Sequence, residues 1–193
     1  MKIGLTGSIA CGKSTVSSYL RSLGHVVVDA DAISHSLTAP GGAALHAIRQ
    51  AFGDGVFDGD ILDRRALGSI VFADSEKRAQ LNAILHPMII SSIKAELRLQ
   101  DAPDRLVFGD VPLLFECHME AMFDRIWVVS ANESEQLSRL MTRDHLSENE
   151  ALARIRSQMP LEEKRRMADT VIDSSGTIEQ TRAQVDALIA ALS

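Results

Sequence analysis

Aromatic residues are scarce, 4% of 193 residues, which excludes a stacking platform for single-stranded bases. Cysteine is nearly absent. Cys11 and Cys117 alone cannot supply the disulfide framework of a small secreted protein. No apolar run approaches the ~18 residues a membrane span needs. The segment Met1–Gly4 turns polar by Thr6, too soon for a secretory leader. The expected setting is therefore a reducing cytoplasm without membrane association. Positive charge is in deficit, with a formal net charge of −6 and a pI near 5.5. No global field draws nucleic acid to such a surface, so an anionic ligand must be held by local cations.

What is present is enough apolar content, 46%, for one sizeable core carrying an appended cap or lid. Lys2–Thr6 reads as a short buried strand, followed by a glycine-containing loop and a helix. In that helix Val16, Tyr19, Leu20 and Leu23 share a face and Gly24 marks the stop. Three valines in His25–Asp29 make a second buried strand. Strand, loop, helix, strand is the opening of a parallel α/β sheet.

Pro40-Gly41-Gly42 then breaks the chain before a mostly helical middle around Ala43–Phe52 and Arg64–Phe72. His86-Pro87 is expected to open a longer helix, with proline in its first turn and Ile89, Ile90, Ile93 and Leu97 on one side. Arg105–Gly109 and Arg125–Val129 return to strand, with Trp127 as core, and Val171-Ile172 is a last short strand. Ser147…Glu150 and Thr177…Gln180 have capping-box spacing, and Ile178–Leu192 is an amphipathic closing helix. The fold class expected is a doubly wound, parallel five-stranded α/β sheet with insertions after the second and fourth strands.

Gly7-Ser8-Ile9-Ala10-Cys11-Gly12-Lys13-Ser14, followed by Thr15, matches G-x-x-x-x-G-K-[ST] between a strand and a helix, the context that gives the motif meaning. Gly7 and Gly12 let the amides of Ala10, Cys11, Gly12, Lys13, Ser14 and Thr15 converge on the phosphates of ATP. The helix N-terminus adds partial positive charge there. Lys13 is expected to reach the β- and γ-phosphates, and Ser14 to offer its hydroxyl to Mg²⁺. Cys11, at a helix start, is either a reactive low-pKa thiol or a small residue tolerated in the loop; the second reading is preferred. The guanine-reading Asn-Lys-x-Asp is missing, since none of Asn82, Asn132 and Asn149 precedes lysine. Asp173-Ser174-Ser175-Gly176 comes too late in the chain to be a switch. A GTPase is disfavoured.

Asp29-Ala30-Asp31 puts two carboxylates at the carboxyl edge of the second strand, where ligands of open α/β sheets bind. A hydroxyl nucleophile needs such a group to orient it and take its proton. Spacing alone does not choose between Asp29 and Asp31, and either residue alternatively caps the next helix. The phosphate loop, Asp29-Ala30-Asp31, Leu85-His86-Pro87, Val111-Pro112-Leu113-Leu114-Phe115-Glu116 and Arg139…Arg143-Asp144 occur in this order and at this spacing. Together they resemble the dephospho-CoA kinases, over nearly the whole chain. The resemblance implies transfer of the ATP γ-phosphoryl group to the ribose 3′-hydroxyl of dephospho-CoA. It further implies a nucleotide core at about 1–30 and 105–193, a CoA-side helical insertion at about 31–104, and a lid at about 139–166. By the same likeness Asp31 is the candidate base and Glu116 lies toward the substrate. Ser174 stands where members often carry Asn, and no adenine contact is assigned to it.

Residues 139–166 hold seven basic against five acidic side chains, a local positive excess suited to a lid over triphosphate. Arg139 and Arg143 share a helix face. Arg143 is the expected clamp on the transferred phosphoryl group and Arg139 an ATP contact, while most of Arg154 through Arg166 are expected to form a solvated, ion-paired face. Asp110, at a strand end, either positions Mg²⁺ through water or caps the following loop. Arg64 and Arg65 either meet the phosphates of CoA or pair with Asp60 or Asp63. His86 is either a substrate contact or a structural residue at a helix start. The small molecule is the only partner expected, with the chain a monomer or weak homo-oligomer. Rival readings are a nucleoside or nucleoside-monophosphate kinase with the same loop, base and lid, or a nucleotide-dependent regulatory protein without phosphotransfer.

Overall fold

The computed structural model describes residues 1–192. Strand β1 (Lys2–Gly7) is buried at five of its six positions, as a short apolar run covered on both faces should be. Helix α1 (Lys13–Ser22) returns along the sheet, and β2 (Val26–Asp29) runs straight into α2 (Ala30–Leu37). Then come α3 (Leu45–Phe52), a two-residue hairpin of β3 (Phe57–Asp58) and β4 (Ile61–Leu62), α4 (Arg64–Ala73) and α5 (Ser75–Leu99). The chain continues through β5 (Val107–Asp110), β6 (Arg125–Ser130), α6 (Glu133–Asp144), α7 (Glu148–Arg156), α8 (Leu161–Met167), β7 (Thr170–Asp173) and α9 (Ile178–Ala190).

The main sheet has the order β2-β5-β1-β6-β7. Strand β1 lies parallel to β5, with Lys2 opposite Val107, and to β6, with Ile3 opposite Arg125; β6 is in turn parallel to β7. The chain thus winds one way from β1 to β5 and β2, and the other way to β6 and β7. This makes the carboxyl end of β1 a topological switch point, where open α/β sheets bind ligands. Both capping boxes foreseen in the sequence form, at Ser147 with Glu150 and at Thr177 with Gln180.

The chain divides into two compact units, Met1–Val28 with Leu97 onward, and Asp29–Glu96. In the first, Ile3, Leu5, Phe108, Trp127 and Ile172 of the sheet pack with Val16 and Leu20 of α1 and Val185 of α9. Each such fully buried side chain contributes about 1.5–3 kcal/mol. The second has its own core of Ala44, Ile48, Val56, Leu62, Leu67 and Val71, joined by Leu81, Ile84, Leu85 and Met88.

One expectation fails here, and one small element was not foreseen. Pro87 does not begin a helix; it lies inside α5, which starts at Ser75, where the Asp74 carboxylate accepts from the amides of Glu76 and Lys77. Proline in a helix interior forfeits a backbone hydrogen bond. Here Ile84 and Met88, on either side of it, are packed into the same core, and this burial outweighs the local preference. The β3–β4 hairpin is too short to have shown a period. Among the described residues no helix is long and apolar enough to cross a membrane.

Candidate active site

Between β1 and α1 the chain makes a tight loop that only particular residues permit. A Cβ on Gly7 would stand 2.5 Å from the Cys11 sulfur and 2.6 Å from the Val129 carbonyl oxygen. Gly12, the N-cap of α1, has φ 82°, left-handed backbone that a side chain strains. Ala10 shares that region at φ 60°. Cys11 is fully buried, and burial drives its thiol up from an ordinary 9.0 to about 11. Burial overrides the helix terminus, so the reactive-thiol reading is set aside.

Lys13 donates to Oδ1 of Asp110. Asp110 ends β5 and is only 4% exposed, and its partner is a cation rather than the following loop. Ser14 is exposed and, with Ala10, Gly12 and Thr15, forms one wall of a cleft of about 560 Å³. Arg139 and Arg143 of α6 line the same cleft. Arg139 donates to the Ser174 carbonyl at 2.8 Å and to its hydroxyl at 3.3 Å, and the Ser174 hydroxyl donates to the Cys11 carbonyl at 2.7 Å. Ser174 therefore ties the α6 arginine to the loop. Arg143 grips Asp144 through two hydrogen bonds, 2.7 and 3.2 Å, and Arg154 joins the same carboxylate at 2.8 Å. The hydrogen bond from Arg143, aided by the charges of both arginines, holds the Asp144 carboxyl below its usual range.

Glu116 accepts at Oε1 from Lys164 at 2.8 Å and from the Met159 amide at 3.2 Å, while its buried Oε2 has no partner. Lys164 also reaches the Pro112 carbonyl. It has no solvent exposure, the exception in a segment most of which was expected to be solvated. Arg154, paired with Asp144, and Arg165 and Arg166, near Glu162, are exposed as expected.

The remaining candidates belong to the second unit. Asp29 is the N-cap of α2, its carboxylate accepting from the amides of Asp31 at 3.0 Å and Ala32 at 3.1 Å. Asp31 sits exposed in the first turn of that helix, so the structure separates the two carboxylates that spacing left equivalent. Arg64 donates to the Thr38 hydroxyl at 2.8 Å and the His35 carbonyl at 3.2 Å, bracing α4 against the end of α2. Neither Asp60 nor Asp63 is its partner there; Asp60 meets Arg49, and Asp63 caps α4. His86 is half-buried within α5.

A phosphate loop, a buried carboxylate on its lysine and an arginine-lined cleft are features of many kinases. The model of the dephospho-CoA kinase family matches residues 1–180. The chain belongs to that family. A dephospho-CoA kinase of Carboxydothermus hydrogenoformans is 49% identical over 186 residues, covering 95% of this chain and 90% of that one. Among solved structures, TT1252 from Thermus thermophilus is 39% identical with a TM-score of 0.82, over 100% of this chain and 98% of the other. The dephospho-CoA kinase from Campylobacter jejuni is 28% identical with a TM-score of 0.71, over 100% and 97%. As a member of this family the chain is an ATP-dependent phosphotransferase.

Sequence reasoning missed four residues of this family member's site. Gln136 and Gln158 both hydrogen-bond the phosphate loop, but a lone glutamine belongs to no motif. Ser174 was seen and given no role. Lys164 lies in the run Glu162-Glu163-Lys164-Arg165-Arg166, whose composition reads as surface; only its distant partner Glu116 explains its burial.

Proposed function

We propose that the chain transfers the γ-phosphoryl group of ATP to the ribose 3′-hydroxyl of dephospho-CoA, giving coenzyme A and ADP in the cytoplasm. The observation that carries this reading is the phosphate loop with Lys13 at its end, beside a cleft walled by Arg139 and Arg143. The amides of residues 10–15 receive the β- and γ-phosphates. Lys13 exchanges its contact with Asp110 for the phosphate oxygens, a displacement that a flexible ammonium permits. Arg139 fixes the nucleotide side, and Arg143, already oriented by Asp144, meets charge developing on the transferred group.

Two hard oxygen donors on the loop and β5, the exposed Ser14 hydroxyl and the Asp110 carboxylate, suit Mg²⁺ carried in on a polyphosphate and keeping most of its waters. These residues would hold it, and the bound ion neutralises charge on the phosphoryl oxygens. Asp31 orients the acceptor hydroxyl and takes its proton. The segment 31–104 serves the CoA side, with Arg64, His86 and Glu116 as substrate contacts, and 139–166 serves as lid.

Mass spectrometry of the product from dephospho-CoA, ATP and Mg²⁺, run beside nucleosides and nucleoside monophosphates, tests the reaction. Coenzyme A from the first substrate alone is expected; no 3′-phosphorylated product refutes it. Asp31→Asn should lose roughly 100-fold or more in kcat with ATP affinity nearly intact. Retained turnover in that variant removes the base assignment.

A further inference from the structure

We propose that Gln136 and Gln158 are positioning residues of the phosphate loop, setting its shape through a one-way chain of hydrogen bonds that passes through Ser8. The inference rests on reading that loop as the triphosphate cradle.

Both backbone polar groups of Ile9 are taken by side chains. Its N–H donates to Gln158 Oε1 at 2.8 Å, and its carbonyl accepts from Gln136 Nε2 at 2.7 Å. Backbone polarity is fixed, so each glutamine amide has one permitted orientation. The Ser8 hydroxyl lies between them, 3.0 Å from Gln136 Nε2 and 3.1 Å from Gln158 Oε1. It must accept from the first and give its single proton to the second. The order is Gln136 to Ser8 to Gln158, with Ile9 closing the circuit at both ends. Ser8 is 5% and Gln136 2% exposed, so water cannot readily replace a lost partner.

The next residue shows what this grip is for. Ala10 stands at φ 60°, a left-handed conformation that a residue with a Cβ keeps only when its surroundings impose it. Fixing the N–H and the carbonyl of Ile9, one on each of the two peptide planes that flank its α-carbon, supplies that constraint immediately before Ala10. The Cys11 amide then donates back to the Ser8 carbonyl at 3.3 Å, closing the turn that leads into α1. Gln136 is a buried residue of α6, and Gln158 lies in the short turn between α7 and α8. The loop's shape therefore depends on where that turn is seated, and nucleotide affinity should report it. A purely packing role would lower the melting temperature and leave affinity alone.

The test uses calorimetric titration with MgADP, which needs no turnover, and steady-state kinetics on the same variants. Gln158→Leu and Gln136→Leu should bind MgADP about fivefold to thirtyfold more weakly. The KM for ATP should rise in step, with kcat changed less. Gln158→Glu and Gln136→Glu place the same charge on either side of one hydroxyl, but a carboxylate accepts and cannot donate. Gln136→Glu should therefore be clearly the weaker binder of the two. Ser8→Ala, the smallest change, should weaken binding severalfold and serves should the glutamine variants fail to fold. Wild-type affinity in Ser8→Ala and in any folded Leu variant, or equal loss in the two Glu variants, overturns the proposal. A wild-type protein that binds MgADP but leaves dephospho-CoA unphosphorylated refutes the proposed reaction and leaves this inference standing. One that fails to bind MgADP refutes the cradle and this inference with it.

Discussion

The ammonium of Lys164, a side chain without solvent exposure, lies 2.8 Å from Oε1 of Glu116, forty-eight residues earlier in the chain. The buried ammonium depends on this half-buried carboxylate, and a buried charge without its partner is costly. Lys164→Met should lower the free energy of unfolding by about 2–4 kcal/mol, because Glu116 loses its cation. Urea denaturation measures this. The double variant Lys164→Met with Glu116→Gln should recover part of the loss, as a coupled pair requires. Strict additivity would mean that the pair is not coupled.

Lys13 is held by Asp110, and on the proposed reading the incoming phosphates compete with that carboxylate for it. In Asp110→Asn that competitor is gone, so metal-free ATP should bind at least as tightly as to wild type. Magnesium-dependent turnover should nevertheless fall by about 10–100-fold if the carboxylate helps hold the ion. Titrations with and without Mg²⁺, alongside kcat, separate the two effects. Wild-type turnover in this variant would leave Asp110 as nothing more than the resting partner of Lys13.

The Asp144 carboxyl titrates below its usual range, first because of the hydrogen bond from Arg143 and then because of the charges of Arg143 and Arg154. A carboxylate depressed on folding adds stability above its unfolded value, about 3.9, and loses it as the pH falls through the lower folded value. Melting temperature followed from pH 5 downward should therefore decline less in Asp144→Asn than in wild type. The same substitution loosens Arg143 beside the cleft, and kcat should fall by about 10–100-fold.

Cys11 works in the opposite pH direction. Its folded thiol keeps its proton from the ordinary 9.0 up to about 11, so stability should erode as the pH rises through that window. Cys11→Ala should flatten the alkaline decline in melting temperature. Alkylation at pH 8 should be slower at Cys11 than at an unfolded thiol, and faster reaction there would contradict its burial.

The sequence disclosed the parts of this molecule that are local. The phosphate loop announces itself because its glycines, lysine and serine are consecutive, and the capping boxes at Ser147 and Thr177 because three residues suffice to write them. Spacing left Asp29 and Asp31 equivalent and only the resemblance favoured Asp31, until the β2–α2 junction placed Asp29 on the helix cap. Pro87 misled because its preference is local, whereas Ile84 and Met88 answer to a core gathered from residues 37 to 88. Gln136, Gln158 and Lys164 were invisible for one shared reason. Each acts on a partner far away in sequence, and nothing in its neighbours distinguishes it from a solvated side chain.

The place of β1 in the sheet has a consequence for synthesis. It is made well before its flanking strands, which begin at Val107 and Arg125. During translation the nascent β1 and the phosphate loop behind it must wait unpaired, while residues 29–96 already contain every side chain of their own hydrophobic cluster. The inserted unit can therefore mature on the ribosome ahead of the unit whose sequence flanks it, and the loop between β1 and α1 is made before the insertion yet takes shape after it.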